Sequence, residues 1–130
     1  MKKVITSSNA PAPIGPYSHA NLVPAGNMLF VSGQVAKDAK TGMLVLDNIK
    51  DETRKVMENV SAILKEAGMD LTQVVKTTIF MKDMNQFAEM NEVYGSFFNG
   101  NFPARETVHF IHFCKLIHVF HKNSCLYYLC

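Results

Sequence analysis

From residue 49 onward, Ile49, Val56, Val60, Ile63, Leu64 and Ala67 recur at helical spacing, while Glu52, Lys55, Glu58, Lys65 and Glu66 fall off that stripe. The pattern predicts an amphipathic helix over residues 47–68, with Gly68 where a left-handed C′ residue belongs. The β-branched, alternating run that follows predicts a strand over 74–81, buried on at least one face. Asp83 and Gln86 have the spacing of a capping box, and Phe87, Met90, Tyr94, Phe97 and Phe98 form the apolar side of a second helix. Gly100 and Pro103 end it. Pro103 fixes its own φ and pushes Phe102 into an extended conformation, so a further strand should start at Pro-Ala-Arg and carry Arg105.

Upstream, residues 1–6 read as a short strand. Residues 7–20 read as an extended loop, since Pro11, Pro13 and Pro16 each restrict the residue before them. Residues 20–36 read as a hairpin: Leu22 and Val23, a turn at 24–27, then a second strand beginning at Met28 to Val31. Gly33 interrupts that strand, which marks a bulge or a place where something approaches the backbone. A second turn falls at 38–44. Strand, hairpin, helix, strand, helix, strand is an α+β order, with helices over one face of a sheet.

The 130 residues suffice for one domain with a single core. Asp and Glu total 11, and the Lys and Arg of residues 1–108 match them at 11, so the body offers no basic face for nucleic acid. No apolar run is long enough for a signal segment or a membrane span, so a soluble, cytoplasmic protein without membrane partners is the expectation. All three cysteines, Cys114, Cys125 and Cys130, lie close to the C-terminus, an odd number and no disulfide framework.

Four segments carry a resemblance: "IGPYSHA" at 14–20, "FVSGQVA" at 30–36, "MNEVYGSFF" at 90–98 and "FPARETV" at 102–108. In this order and at these intervals they resemble the reactive intermediate deaminase family, RidA/YjgF, over residues 1–108. The resemblance implies a mixed sheet with two helices on one face (a chorismate-mutase-like fold), assembled as a homotrimer with a cleft at each subunit interface. It also implies hydrolysis, without a cofactor or metal, of enamines and imines, chiefly 2-aminoacrylate and other 2-imino acids, to 2-keto acids and ammonia. Some relatives of this kind are instead regulators, chaperones or inhibitors of translation, so a carboxylate-binding scaffold without turnover is the alternative.

A 2-imino acid carries a carboxylate, and a rigidly held guanidinium is its fitting partner. Arg105 is that residue by the resemblance; taken by itself it reads rather as a surface arginine in an ion pair with Glu106 or a helix residue. The resemblance makes Tyr17 a wall of the pocket, though a tyrosine after Gly-Pro also serves as a packed turn residue. It makes Ser32 and Gly33 the segment approaching the substrate nitrogen, and it places Asn91 at the site, where a lone helix asparagine would otherwise be a solvated surface residue. Thr107 stands where many relatives have cysteine, and its backbone N–H still suits a carboxylate.

Residues 109–130 depart from the family. The resemblance leads one to expect a Leu-Pro turn and a final strand with a glutamate, the candidate for activating water or moving protons. Here no acidic residue follows Glu106, and no proline or glycine follows Pro103. A break this abrupt points to translation in a shifted reading frame, with true divergence or an artefact of the expressed gene as alternatives. His109, His112, Cys114, His118 and His121 match no established zinc spacing. An amphipathic helix through Phe110, Phe113, Cys114 and Ile117 is spoiled by Ile111, Leu116 and Val119. The Val, Ile, Phe and Tyr content favours a strand in the place of the family's last ones. Such a replacement should weaken the trimer and expose a sheet edge.

Overall fold

The computed structural model describes residues 2–5, 9, 15–22, 26, 28–109 and 125–129. Among these residues, six strands and two α-helices follow one another as β1 (Lys3–Ile5), β2 (Ala20–Leu22), β3 (Val31–Gln34), α1 (Ile49–Glu66), β4 (Lys76–Met81), α2 (Phe87–Ser96), β5 (Ala104–His109) and β6 (Cys125–Leu129). The main sheet is mixed, in the order β3-β6-β4-β5: β5 runs parallel to β4, and β6 antiparallel to both β4 and β3. β1 and β2 form a separate antiparallel pair.

The α1 boundaries follow the sequence signals. Asn48 caps the helix by accepting from the Asp51 N–H at 2.9 Å, and Gly68 adopts φ 70° just past the Ala67 C-cap. The buried residues of α1 are Ile49, Glu52, Thr53, Val56, Met57, Val60 and Leu64. At ~100° per residue they span roughly 140° of the helix, wider than the predicted stripe. The reason is double cover: α1 packs against α2 as well as β3 and β6. Glu52, expected off the stripe, lies at its edge and is 1% exposed, whereas Ala67 is exposed.

On β4, Thr77, Ile79 and Met81 are buried and alternate with residues that are not. Ile79 and Met81 meet Val56 and Met57 of α1 and Met90 and Tyr94 of α2 in the main core, so both helices cover one face of the sheet. Val31, Val60, Leu64 and Val74 form a second cluster under the C-terminal half of α1. Asp83 caps a 3-10 turn, Met84–Gln86, that leads directly into α2; the cap binds the Asn85 N–H. The predicted strand over 74–81 begins two residues later than expected, because Val74 caps the preceding 3-10 turn Leu71–Gln73.

The hairpin expectation needs correction. β2 pairs with β1 and β3 pairs with β6, while Met28 and Phe30 are exposed at 66% and 69%. A turn sequence specifies a local reversal, but the ladder partners are chosen by the rest of the sheet. Of that turn only Gly26 is among the described residues. The second turn is as expected: Asp38 accepts from the Lys40 and Thr41 N–H groups, and Gly42 takes φ 71°. Around Gly33 the register shifts, with Val31 opposite Leu129 and Gln34 opposite Tyr127, so β3 carries one more residue than β6 over that interval.

The C-terminal segment enters the sheet centre as β6 rather than leaving a gap there, and among the described residues the sheet's edges are β3 and β5. The metal-site and amphipathic-helix readings of residues 110–121 lie outside the described residues. His109 is described, and its Nε2 donates to the Lys82 carbonyl at 3.1 Å. Among the described residues no helix is long and apolar enough to cross a membrane. Replacing the α1 cap, Asn48→Ala, should lower the free energy of unfolding by about 1 kcal/mol, read as a lower urea midpoint at unchanged slope. An unchanged midpoint would show that the Asp51 N–H finds another acceptor.

Candidate functional site

Pro103 is fully buried at the turn into β5, and the Ala104 N–H donates to the Val75 carbonyl at 2.9 Å. This bond sets the parity of the parallel ladder. Ala104, Glu106 and Val108 direct their N–H groups toward β4, while those of Arg105, Thr107 and His109 point away from it. Side chains alternate with the same period, so Arg105 and Thr107 share the helix-covered face and Glu106 takes the other.

Glu106 is engaged on that other face. It accepts from the Thr78 hydroxyl at 2.7 Å and lies 3.1 Å from the Lys76 ammonium, and these contacts, Thr78 first, hold its carboxyl below the usual glutamate range. Arg105 is therefore not held in an ion pair with its neighbour. Its Nη1 donates to Asn91 Oδ1 on α2 at 2.6 Å, and its guanidinium carbon sits 5.0 Å from the Tyr94 ring centre, 5.6 Å from that of Phe87 and 5.7 Å from that of Tyr17. Three aromatic faces and one amide oxygen fix the cation.

The loop carrying Tyr17 is tied to the start of β5. The Ser18 N–H donates to the Pro103 carbonyl at 2.9 Å and the Ser18 hydroxyl donates to the Phe102 carbonyl. Pro16 packs on Gly95 of α2, where a Cβ would come within 3.4 Å of the proline ring. Beneath the cation, Tyr94 is fully buried, and its hydroxyl shares a 2.8 Å hydrogen bond with Thr77. Burial pushes its phenol up to about 12, against smaller opposing effects of Thr77 and the Arg105 charge.

Of the residues named from sequence, Tyr17, Asn91 and Arg105 come together, and Thr107 lies two positions along β5 on the same face. The Thr107 hydroxyl is buried with no hydrogen-bond partner among the described residues. Ser32 and Gly33 are not brought to the same place: among the described residues β3 and β5 are opposite edges of the sheet with β6 and β4 between them. Three strand spacings amount to about 14 Å. Sequence reasoning missed Phe87 and Tyr94 as supports of the cation, because aromatics on an apolar helix face read as core. It also missed Gly15, whose absent Cβ would lie 3.5 Å from Arg105 Nη2, 3.7 Å from Tyr17 and 3.8 Å from Asn91 Nδ2.

Tyr94→Phe keeps the ring but strands the buried Thr77 hydroxyl, and should cost about 1–3 kcal/mol at neutral pH. The unfolded phenol titrates near 10 and the folded one near 12. Between those values the unfolded chain has lost a proton that the folded chain retains, so Tyr94 favours the fold fully below pH 10 and progressively less above it. The wild-type advantage over Tyr94→Phe should shrink by roughly 2–3 kcal/mol across that window in urea titrations. A difference independent of pH would mean that the phenol is not held neutral by burial.

The family model described as Endoribonuclease L-PSP matches residues 7–113. A RutC family protein of Pyrococcus horikoshii is 55% identical over 108 residues, covering 83% of this chain and 84% of that protein. The 2-iminobutanoate/2-iminopropanoate deaminase of Rattus norvegicus is 46% identical over 105 residues, 81% of this chain and 75% of the rat protein. Among solved structures, E. coli TdcF with bound serine is similar at TM-score 0.68 and 33% identity, covering 98% of this chain and 95% of that one. With its motifs, its mixed sheet under two helices and these relatives in agreement, the chain belongs to the Endoribonuclease L-PSP family, the RidA/YjgF reactive intermediate deaminases.

Proposed function

We propose that this protein hydrolyses 2-imino acids, among them the imine form of 2-aminoacrylate, to 2-keto acids and ammonia in the cytoplasm, at a rate lowered by its altered C-terminal segment. The observation that carries this reading is the fixed guanidinium of Arg105, hydrogen-bonded to Asn91 and enclosed by three rings. A cation restrained in this way has lost its rotamer freedom before a ligand arrives, which suits it to orient a small carboxylate. The deaminase name of the rat relative and the amino acid bound to the E. coli relative are in keeping with such a ligand.

In the reaction, Arg105 holds the carboxylate, Tyr17 walls the pocket, and the N–H of Thr107, directed away from β4, is available to the same anion. Water adds to the imine carbon, the nitrogen takes up a proton, and the C–N bond then breaks to release ammonia and the 2-keto acid. Ser32 and Gly33, on the far edge of the sheet, reach this pocket only from a second copy of the chain. That constraint supports a homotrimer with clefts between subunits. The family model's name carries a nucleic-acid reading, but the charge balance of residues 1–108 provides no basic face for it.

One observation favours the second reading, a carboxylate-binding scaffold without turnover: no acidic residue follows Glu106. We place residues 109–130 as a divergent replacement of the family's last strands, the product of a shifted frame. Loss of a positioned acid or base lowers rates by ~10² to 10⁴, so keto acid formation from freshly generated 2-aminoacrylate should fall below that of the rat relative by that factor. Arg105→Ala should abolish the remainder and weaken 2-keto acid binding. Rates equal to the relative's would show that the acid is dispensable or replaced; binding without any turnover would favour the scaffold.

Assembly gives a separate check. The trimer should be weak enough that light-scattering chromatography at micromolar concentration shows heterogeneous or dissociating material. A sharp trimer peak, unchanged on dilution, would contradict that expectation.

A further inference from the structure

The geometry points to Thr77 as a positioning residue for Arg105: its hydroxyl, bonded to the Tyr94 phenol, fixes the ring on which the guanidinium rests. This role rests on the reading of Arg105 as a carboxylate site and adds to it a control exerted from β4, by a side chain that acts through Tyr94.

Thr77 is the in-register partner of Arg105 in the parallel ladder, and both face the helices. The other buried positions of β4 are Ile79 and Met81, members of the main core. A hydroxyl in such a row is costly unless paired, and that of Thr77, 1% exposed, lies 2.8 Å from the Tyr94 hydroxyl. Tyr94 is itself fully buried, so the bond is made away from water. The phenol end is one fixing of the ring. The other is Phe98, four residues on, whose ring centre lies 5.0 Å from that of Tyr94 and which meets Phe102 at 6.0 Å.

Held at both ends, Tyr94 is the nearest of the three rings to the guanidinium carbon, at 5.0 Å. Asn91, three residues before it on α2, shares its side of the helix and binds Nη1 at 2.6 Å. The amide anchors one nitrogen and the ring restrains the plane. Without the Thr77 bond the ring is free to tilt, and the guanidinium can pivot about its one hydrogen bond to Asn91. A fork that pivots is a poorer match to a planar carboxylate. A pair that merely satisfied two buried hydroxyls would affect the stability of the fold and nothing else; a positioning pair also moves the cation in the folded protein.

Arg54 and Arg105 are the only arginines of the chain, so their Nε–H signals in nitrogen–proton correlation spectra form a simple readout. In wild type the Arg105 signal should be displaced by the surrounding ring currents from that of exposed Arg54; coincident signals would overturn the role without any variant. Thr77→Val keeps the β-branched shape and removes the hydroxyl. The full-length variant should unfold cooperatively at a lower temperature. Well below that temperature its Arg105 signal should move toward that of Arg54, and calorimetric titration should show 2-oxobutanoate binding about 3- to 10-fold weaker than wild type. Thr77→Ser, which restores the hydroxyl, should recover both. A folded Thr77→Val with the wild-type Arg105 signal and affinity, or a Thr77→Ser that behaves like Thr77→Val, would overturn the role. Tyr94→Phe removes the same bond from the other side and should move the Arg105 signal in the same direction; an unmoved signal there overturns the role even where Thr77→Val does not fold. Absence of 2-oxobutanoate binding by wild type, with the Arg105 signal moved in the variants, would sink the carboxylate reading and uphold the positioning of the cation by Thr77.

Discussion

A half-buried guanidinium constrains much of this molecule. A cation removed from water is costly unless its donors and its faces are occupied, and β5 alone supplies nothing to occupy them. Arg105 draws its partners from two other segments: Asn91, Phe87 and Tyr94 from α2, and Tyr17 from the loop before β2. Each segment is fixed by contacts made for that purpose. Tyr94 is anchored to β4 through Thr77, the loop is tied to Phe102 and Pro103 through Ser18, and Pro16 rests on the bare helix surface at Gly95. The packing of α2 on the sheet and the placing of the cation are one arrangement.

Strand parity then decides what the site faces. Because the Ala104 N–H is spent on β4, the backbone donors of Arg105 and Thr107 point away from that strand, and their side chains share the helix face. Had the ladder been shifted by one residue, Glu106 would stand among the rings and Arg105 beside Lys76. The same sheet separates Ser32 and Gly33 from Arg105 by the width of two intervening strands. A pocket using both edges must therefore be built from two chains.

The parts of the fold that were legible in the sequence are those decided locally. The periodicity of α1 and its cap at Gly68, the alternation of β4, the turn at Asp38 and the bulge around Gly33 each depend on neighbours a few residues away. Partner choice was not legible, since β2 finds β1 and β3 finds β6 across long loops. Nor was the burial of Glu52, which follows from α2 lying alongside α1. Tyr17, Asn91 and Arg105, named through motifs, lie together around the guanidinium. Tyr94 escaped because it presents the same pattern as any core aromatic.

The C-terminal segment separates two kinds of demand on a sequence. Cys125–Leu129 takes a central place between β3 and β4, pairing with Thr77 to Met81 along its whole length. Pairing of this kind draws on backbone hydrogen bonds and tolerates many residue types. A proton-transfer group has no such tolerance: it must be of one chemical type and within hydrogen-bond reach of the reacting atoms. A segment unlike the family's can satisfy the first demand by its apolar and aromatic content and fail the second. The proposed loss of rate therefore requires no loss of the sheet, and the contacts described around Arg105, from Tyr17, Phe87, Asn91 and Tyr94, all come from outside that segment.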